Sequence, residues 1–359
     1  MFSCYVNKPD IGGSFLFVVQ NSATISKHMR KSLVLLSLAY ASAQKGQWTP
    51  AGSSGVVCIH AAVISNNRLV CMERPHKDQY TQNALTNGLL SAEIDLMATV
   101  NADGTWTSSF TAVPVTTNPF CAGHAKMANG AFFVAGGDNQ TEPSSDNTPL
   151  FVNGRMGRRI YTPCGTPLCK TPGTWTYLPD MTTNRWYPTV LTLQTGQIII
   201  IGGNQANLDF DKLIGDGNPT YEYYPSKAPT PIKLELLQWA YPHHMYPISF
   251  VLPSGNVFLF ASNKSIIINT LTDTITNLPD MPVMDHSPWI YPHTPTSFIL
   301  PLTYKNNYRM VVMVCGGSKL SSKDASPMCW KIAPEDPAPT WTQSADMPQA
   351  RYELNTHSD

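Results

Sequence analysis

Two short segments carry the side chains with the most chemistry in them. Phe120-Cys121-Ala122-Gly123-His124 and Arg185-Trp186-Tyr187-Pro188-Thr189 each run into an apolar strand closed by a double glycine. The first continues as Gly130-Ala131-Phe132-Phe133-Val134-Ala135-Gly136-Gly137, the second as Gly196-Gln197-Ile198-Ile199-Ile200-Ile201-Gly202-Gly203. Taken singly, Cys121 reads as a buried thiol and Tyr187 as a core tyrosine. Their parallel contexts set them apart. No Gly-x-Gly-x-x-Gly fingerprint follows a strand, so dinucleotide chemistry has no cradle of that kind here.

On these residues the sequence resembles the glyoxal oxidase and galactose oxidase family of secreted copper radical oxidases. In that family a cysteine in the first context is bonded through sulfur to a tyrosine ring in the second. The modified tyrosine is both a copper ligand and an organic radical, and the matching residues are Cys121 and Tyr187. The resemblance therefore implies two cofactors, copper and the Cys-Tyr thioether radical. It implies a small aldehyde or alcohol and O2 as substrates. Oxidation of the substrate removes two electrons; copper takes one, the modified tyrosine the other, and O2 leaves as hydrogen peroxide. The family completes its site with a tyrosine directly followed by a histidine, and with a second histidine from a later domain. Imidazole and phenolate in tetragonal geometry suit Cu(II). No Tyr-His dipeptide occurs in the sequence. The expectation is that Tyr187 is the metal ligand without the other copper ligands, and that this chain is a truncated, inactive form.

Neighbouring residues divide between chemistry and packing. Trp186 either shields the radical or packs the blade. His124 could stand beside the metal's ligands without binding it. Arg185 is expected to make hydrogen bonds between blades, since its part of the motif recurs at Arg351, where no cysteine accompanies it. Tyr241-Pro242-His243-His244-Met245-Tyr246-Pro247 and Tyr291-Pro292-His293 read as polar turn or hairpin residues, and His60 as a strand residue.

The elements that must hold these residues repeat. The unit is a glycine-led apolar strand, a double glycine, a polar stretch, a tryptophan, then Met-x-x-x-Arg. Gly136-Gly137, Gly202-Gly203 and Gly316-Gly317 end three such strands, and Gly255–Ser262 is a fourth with the double glycine lost. Thr174–Met181 before Arg185 and Thr340–Met347 before Arg351 keep one register. Stacked four-stranded units of this kind make a propeller, because one blade cannot bury both faces alone. The expectation is an all-β, kelch-type β-propeller with about five blades or partial blades. The resemblance covers roughly residues 47–351 and implies a seven-bladed whole followed by a β-sandwich domain, so the propeller is expected to be incomplete here.

Composition narrows the partners. Thirty prolines and 23 glycines fit many strands and turns, and 24 basic against 24 acidic residues give no net charge. That balance argues against nucleic acid or an anionic surface as the main partner. Met29-Arg30-Lys31, the apolar run Ser32–Tyr40 and Ala41-Ser42-Ala43 form a secretory leader. It is too short to cross a bilayer as a mature helix. The expected organisation is 1–28 as a non-native upstream extension, 29–43 as signal peptide and 44–359 as partial propeller. The product would be a secreted, extracellular monomer with no membrane segment.

In an exported chain the cysteines are disulfide candidates. Cys164 with Cys169 and Cys315 with Cys329 have spacings that suit local bridges. Cys58 and Cys71 bracket a hairpin-like segment and could pair or stay as buried thiols. Asn139 and Asn263 head possible glycosylation sequences. The alternative to an oxidase is a non-catalytic secreted propeller that binds a glycan or protein through its loops, and the fold alone does not choose.

Overall fold

A run such as Ile198-Ile199-Ile200-Ile201 is apolar on both faces of a strand, so both faces need cover. The chain supplies it by stacking sheets. In the computed structural model, the described residues are 54–64, 67–73, 91–96, 103, 110–139, 152–165, 171–209, 214–241, 244–282, 291, 294–318 and 325–352. The segments 1–28 and 29–43 and their expected roles lie outside them. Among the described residues no helix is long and apolar enough to cross a membrane.

The described residues form five four-stranded antiparallel sheets and one extra hairpin. The first sheet is β1 (His60–Ile64), β2 (Arg68–Met72), β3 (Ser91–Asp95) and β4 (Phe110–Ala112). The second is β5 (Gly123–Lys126), β6 (Phe132–Ala135), β7 (Arg158–Thr162) and β8 (Thr174–Leu178). The third starts with β9 (Thr189–Thr192) and β10 (Ile198–Ile201). It then leaves as a hairpin, β11 (Asn204–Asp209) and β12 (Ile214–Gly217), before β13 (Thr220–Tyr224) and β14 (Ile232–Lys233) complete it. A short helix, α1 (Glu235–Ala240), leads to the fourth sheet, β15 (Ile248–Val251), β16 (Val257–Ala261), β17 (Lys264–Ile268) and β18 (Ile275–Asn277). The fifth is β19 (Pro295–Ile299), β20 (Val312–Gly316), β21 (Cys329–Ile332) and β22 (Thr342–Gln343).

Each sheet is a meander whose strands pair in chain order, and each packs on the next as a propeller blade does. Alternation along the second strands shows how. Ile198 and Ile200 face Phe133 and Ala135 of the second sheet, while Ile199 and Ile201 face Val257 and Leu259 of the fourth. Val70 and Met72 meet Phe132 and Val134 in the same way, and Phe258 and Phe260 meet Val312 and Val314. The first strands sit innermost: β5 touches β9, and β9 touches β15.

The sequence repeat is the wiring between blades. The N–H of Gly137 donates to the carbonyl of Arg185 at 3.1 Å, and the N–H of Gly317 to that of Arg351 at 2.9 Å. A Cβ at Gly136 would lie 2.2 Å from the Arg185 oxygen, and one at Gly316 2.3 Å from the Arg351 oxygen. The repeated tryptophans reach back one blade. Trp175 donates its indole N–H to Ser91 Oγ at 3.2 Å, and Trp341 donates to the carbonyl of Pro279 at 3.0 Å. The methionine N–H groups close the outer turns, Met181 onto Met156 and Met347 onto Pro327. Met281, in Leu278-Pro279-Asp280-Met281, does the same onto Asn263 and is a repeat unit that the sequence pattern had hidden. In that blade Ala261-Ser262 replaces the double glycine, and the chain turns straight back through Ser262 (φ 60°) and Asn263 into β17.

A buried carboxylate staples the first two blades. Glu93 on β3 accepts from Arg68, from the hydroxyl of Tyr161 on β7 and from the N–H of Gly173 at 3.0 Å. Burial, and the hydrogen bond to Glu93, push the Tyr161 phenol well above its ordinary range. Disulfides join Cys58 to Cys71 and Cys315 to Cys329, the second pair facing across β20 and β21. Cys164 is also disulfide-bonded, and Cys169 lies outside the described residues. Asn139 is exposed; the carboxamide oxygen of Asn263 is buried and has no hydrogen-bond partner among the described residues.

The close approach at the double glycine gives a direct test. Gly130 also has a positive φ, 84°, but a Cβ there would meet nothing within 4 Å. Gly130→Ala should therefore cost only the left-handed strain, about 1–2 kcal/mol. Gly136→Ala, which adds a clash with backbone, should cost at least ~3 kcal/mol. Urea midpoints of the two variants check this; equal shifts would mean that the Arg185 contact does not constrain the fold.

Candidate functional site

The innermost strands begin in an unusual way. Two positions before β5, β9 and β15 stand Cys121, Tyr187 and Tyr246, with φ of 54°, 64° and 45°. Left-handed backbone at a residue other than glycine is uncommon, and for a bulky aromatic it is strained. Here it is held by hydrogen bonds between blades. The Tyr187 N–H donates to the Cys121 carbonyl at 2.9 Å, and the Tyr246 N–H donates to the Tyr187 carbonyl at 2.9 Å. The Tyr246 hydroxyl returns to the carbonyl of Ala122 at 3.1 Å.

This backbone chain turns the side chains into one buried cluster: Ile59, Phe120, Cys121, Trp186, Tyr187, Met245, Tyr246 and Tyr291. Cys121 is 0% exposed and Tyr187 1%. Cys121 takes part in neither of the disulfides above. Two rings lie against Tyr187: Trp186, tilted by 33° at 4.7 Å, and Tyr291, stacked at 4.8 Å and 30°. Tyr246 meets it edge-on at 5.3 Å. The structure thus brings Cys121, Tyr187 and Trp186 together and adds Tyr246 and Tyr291, which the sequence reading had left in polar turns. The signal for them is a dipeptide, since Tyr187-Pro188, Tyr246-Pro247 and Tyr291-Pro292 each precede a blade's first strand.

Trp186 is held from three sides. Its N–H and carbonyl both pair with Asn204, at 2.8 and 2.6 Å. Its ring lies tilted against Tyr187. The guanidinium of Arg155, 3.5 Å from the Asp138 carboxylate, lies 5.3 Å from its centroid. Arg185 points elsewhere. Its side chain bonds Glu222, the carbonyls of Gly202 and Thr220 and the Thr220 hydroxyl, all in its own blade. Its carbonyl receives Gly137 from the blade before. Arg185 therefore joins blades, and its pKa is lowered by burial against the opposing pull of Glu222.

The histidines occupy other places. His124 sits edge-on to His60 at 5.2 Å and 5.0 Å from Phe132, between the first two blades. The residue is half-buried, and desolvation of its ring between the blades, helped by His60, lowers its pKa to about 3. His244 is buried beside Tyr241. His243 and His293 lie outside the described residues.

For a metal, the cluster around Tyr187 offers phenol oxygens and one thiol, with the Tyr246 hydroxyl already committed to Ala122. No three of His, Cys, Asp and Glu gather among the described residues. Cu(II) favours imidazole and phenolate in tetragonal array. Tyr187 fits one position of such a set; the described residues do not complete it.

Comparison with known proteins bears on the family and the fold. The family model for the glyoxal oxidase N-terminus matches residues 59–355. The aldehyde oxidase GLOX of Vitis pseudoreticulata is 27% identical over 259 residues, covering 68% of this chain and 43% of that protein. A WSC domain-containing protein of Arthroderma benhamiae is 31% identical over 192 residues, 52% of this chain and 20% of that protein. The aldehyde oxidase GLOX1 of Arabidopsis thaliana is 26% identical over 210 residues, 57% of this chain and 30% of that protein. The chain thus spans less than half the length of these curated relatives. A solved fungal alcohol oxidase of the AA5 family, in complex with copper, superposes with a TM-score of 0.57 at 19% identity, over 86% of this chain and 58% of that one, and shares the fold.

His124 yields a pH test. Folded, it stays neutral down to about 3; unfolded, it takes up a proton below its ordinary 6.5. The unfolded state binds more protons in that window, so stability falls as pH drops through it. His124→Gln should flatten this acid limb of Tm against pH, with the two proteins differing little above 6.5. A slope unchanged by the substitution would place His124 in water rather than between blades.

Proposed function

The chain belongs to the glyoxal oxidase family, matched from residue 59 to 355, and from that premise we propose that it carries the cysteine–tyrosine redox pair of a secreted copper radical oxidase. One observation carries the reading. Cys121 and Tyr187 both adopt left-handed backbone, are hydrogen-bonded to each other through the main chain and are buried in one aromatic cluster. Strain of this kind, about 1–3 kcal/mol per residue, persists where the surroundings over-determine it, and it clusters at active sites.

The proposed pair forms by joining Cys121 Sγ to a ring carbon of Tyr187. The thiol hydrogen and a ring hydrogen leave as two protons with two electrons, which O2 accepts to give hydrogen peroxide. The proposed turnover is aldehyde + H2O + O2 → carboxylic acid + H2O2, and an alcohol would give the aldehyde with the same peroxide. The curated relatives named as aldehyde oxidases and the neighbour named as an alcohol oxidase support this substrate class. The described residues supply only part of a copper donor set, in which Tyr187 would be the phenolate ligand. This chain's own residues do narrower work. Trp186 and Tyr291 cover the Tyr187 ring and exclude water from it. Tyr246 fixes the Tyr187 main chain. Arg185 holds the blade from which Tyr187 projects. The leader at 29–43 supports export and the two disulfides accord with it.

Mass spectrometry tests the pair. The protein, expressed with Cu(II) in air, is reduced, alkylated and digested. The expected product is a Cys121 peptide joined to a Tyr187 peptide, lighter than their sum by two hydrogens, and absent in Tyr187→Phe. Complete alkylation of Cys121 in protein exposed to copper and oxygen would sink the proposal.

A further inference from the structure

Three arginines are buried among the described residues: Arg155, Arg159 and Arg185. A buried charge is costly unless pairing and hydrogen bonds offset it. Arg185 meets that condition with four bonds inside its own blade. Arg155 meets it poorly. Its Nη1 donates to the Gln205 carbonyl at 3.3 Å, its Nη2 lies 3.5 Å from the Asp138 carboxylate, and its Nε has no hydrogen-bond partner among the described residues. Strong charge-assisted bonds are shorter, about 2.7–2.9 Å. The fastening at this position is done by the main chain instead. The Arg185 N–H donates to the Arg155 carbonyl at 2.8 Å, and the Arg155 N–H donates to Asn153 Oδ1 at 2.9 Å. Neither bond needs a guanidinium, so the charge calls for another reason.

What the charge meets is Trp186. The guanidinium carbon lies 5.3 Å from the centroid of the indole, and the same indole lies 4.7 Å from the Tyr187 ring. Indole and phenol are the side-chain rings that most readily give up an electron, so two of them in contact compete for an electron vacancy. A positive charge beside one ring opposes loss of an electron from that ring, most strongly where water is excluded. Trp186, Arg155 and Asp138 are all buried. Guanidinium does not deprotonate in proteins, so its charge is permanent. Asp138 sets how much of that charge the indole feels, because a carboxylate beside the guanidinium subtracts from its field.

We propose that Arg155 is a positioning residue for the oxidised site: its charge, trimmed by Asp138, keeps the electron vacancy off Trp186 and on Tyr187. This role rests on the redox pair proposed above. Oxidised Tyr187 has lost one electron and its phenolic proton. The competing event takes the electron from Trp186, and water then traps the ring: indole + H2O → hydroxyindole + 2 H+ + 2 electrons.

Illumination of the full chain, prepared with Cu(II) in air, in the presence of tris(bipyridine)ruthenium(II) and persulfate tests the role. One persulfate accepts the two electrons and becomes two sulfates. Peptide mass spectrometry then gives the yield of hydroxytryptophan at Trp186 relative to Trp175 and Trp341, whose indoles are bonded elsewhere. Arg155→Gln should raise that ratio by about threefold or more, and Arg155→Lys should hold it near the wild-type value. Asp138→Asn, which leaves the cation unbalanced, should lower it. A merely structural role would open the site in both neutral variants and raise the ratio in both. Thermal unfolding confirms that each variant is folded. A ratio unmoved by Arg155→Gln, or moved in the same direction by Arg155→Gln and Asp138→Asn, would overturn the proposal. The Cys121–Tyr187 cross-link is scored in the same digests. A cross-link with an unmoved ratio removes this inference alone; a ratio that moves as expected without a cross-link overturns the redox pair while upholding the effect of Arg155 on Trp186.

Discussion

A chain of main-chain hydrogen bonds crosses the inner ends of three blades, and the rest of the site depends on it. Tyr187 gives its N–H to Cys121, and Tyr246 gives its N–H to Tyr187. An N–H can aim at the neighbouring blade at these positions because the residue turns left-handed. The same turn sends each side chain into the shared interior, so backbone satisfaction and side-chain convergence are one event. The strain of three positive φ angles, about 1–3 kcal/mol each, is offset by burying large aromatic surfaces, at roughly 25 cal/mol per Å² of apolar area.

Around that centre the blades are held by arginine and glycine in complementary ways. Arg185 is fully buried, yet its guanidinium reaches Glu222, two carbonyls and a hydroxyl. Its desolvation is therefore matched by charge-assisted bonds. Arg159, equally buried, reaches Gly136 at 2.8 Å, but Nε and one terminal nitrogen have no hydrogen-bond partner among the described residues. Burial lowers its pKa to about 10 accordingly. The motif arginine is the well-satisfied one because it works with the double glycine. Its side chain secures one blade while its carbonyl occupies the space that Gly136 leaves open in the blade before.

Much of this was legible in the sequence, for physical reasons that also explain what was not. A double glycine after an apolar strand marks a place where backbone must approach backbone, so three blades announced themselves. Trp175 and Trp341 sat in register because each bonds to the preceding blade. The fourth blade hid its unit, since Ala261-Ser262 makes a tight hairpin where the others make an excursion. Cys121 and Tyr187 stood out by context, whereas Tyr246 and Tyr291 did not. The prolines and histidines beside them suggest a solvated turn, and only the inter-blade hydrogen bond explains why Tyr246 is buried. The insertions outside the blades, β11–β12 and α1, left no pattern to read. α1 is a six-residue helix without a side-chain N-cap, held by Leu236, Leu237 and Ala240 against the core, so its stability is tertiary.

Trp186 shows how packing and chemistry can be one assignment. Its main chain pairs with Asn204 and fastens the hairpin insertion to the blade, which is a packing role. Its ring lies against Tyr187, which is where a shield would lie. Arg155 then distinguishes the two rings. A cation near an indole face is stabilised by the ring's electrons, and the same field resists removal of an electron from that ring. Asp138, 3.5 Å from the guanidinium, cancels part of this field but lies on the arginine rather than on the indole. In a protein where Tyr187 is oxidised, the arrangement makes Trp186 the poorer resting place for the missing electron. The ring that covers the tyrosine is thereby kept from competing with it.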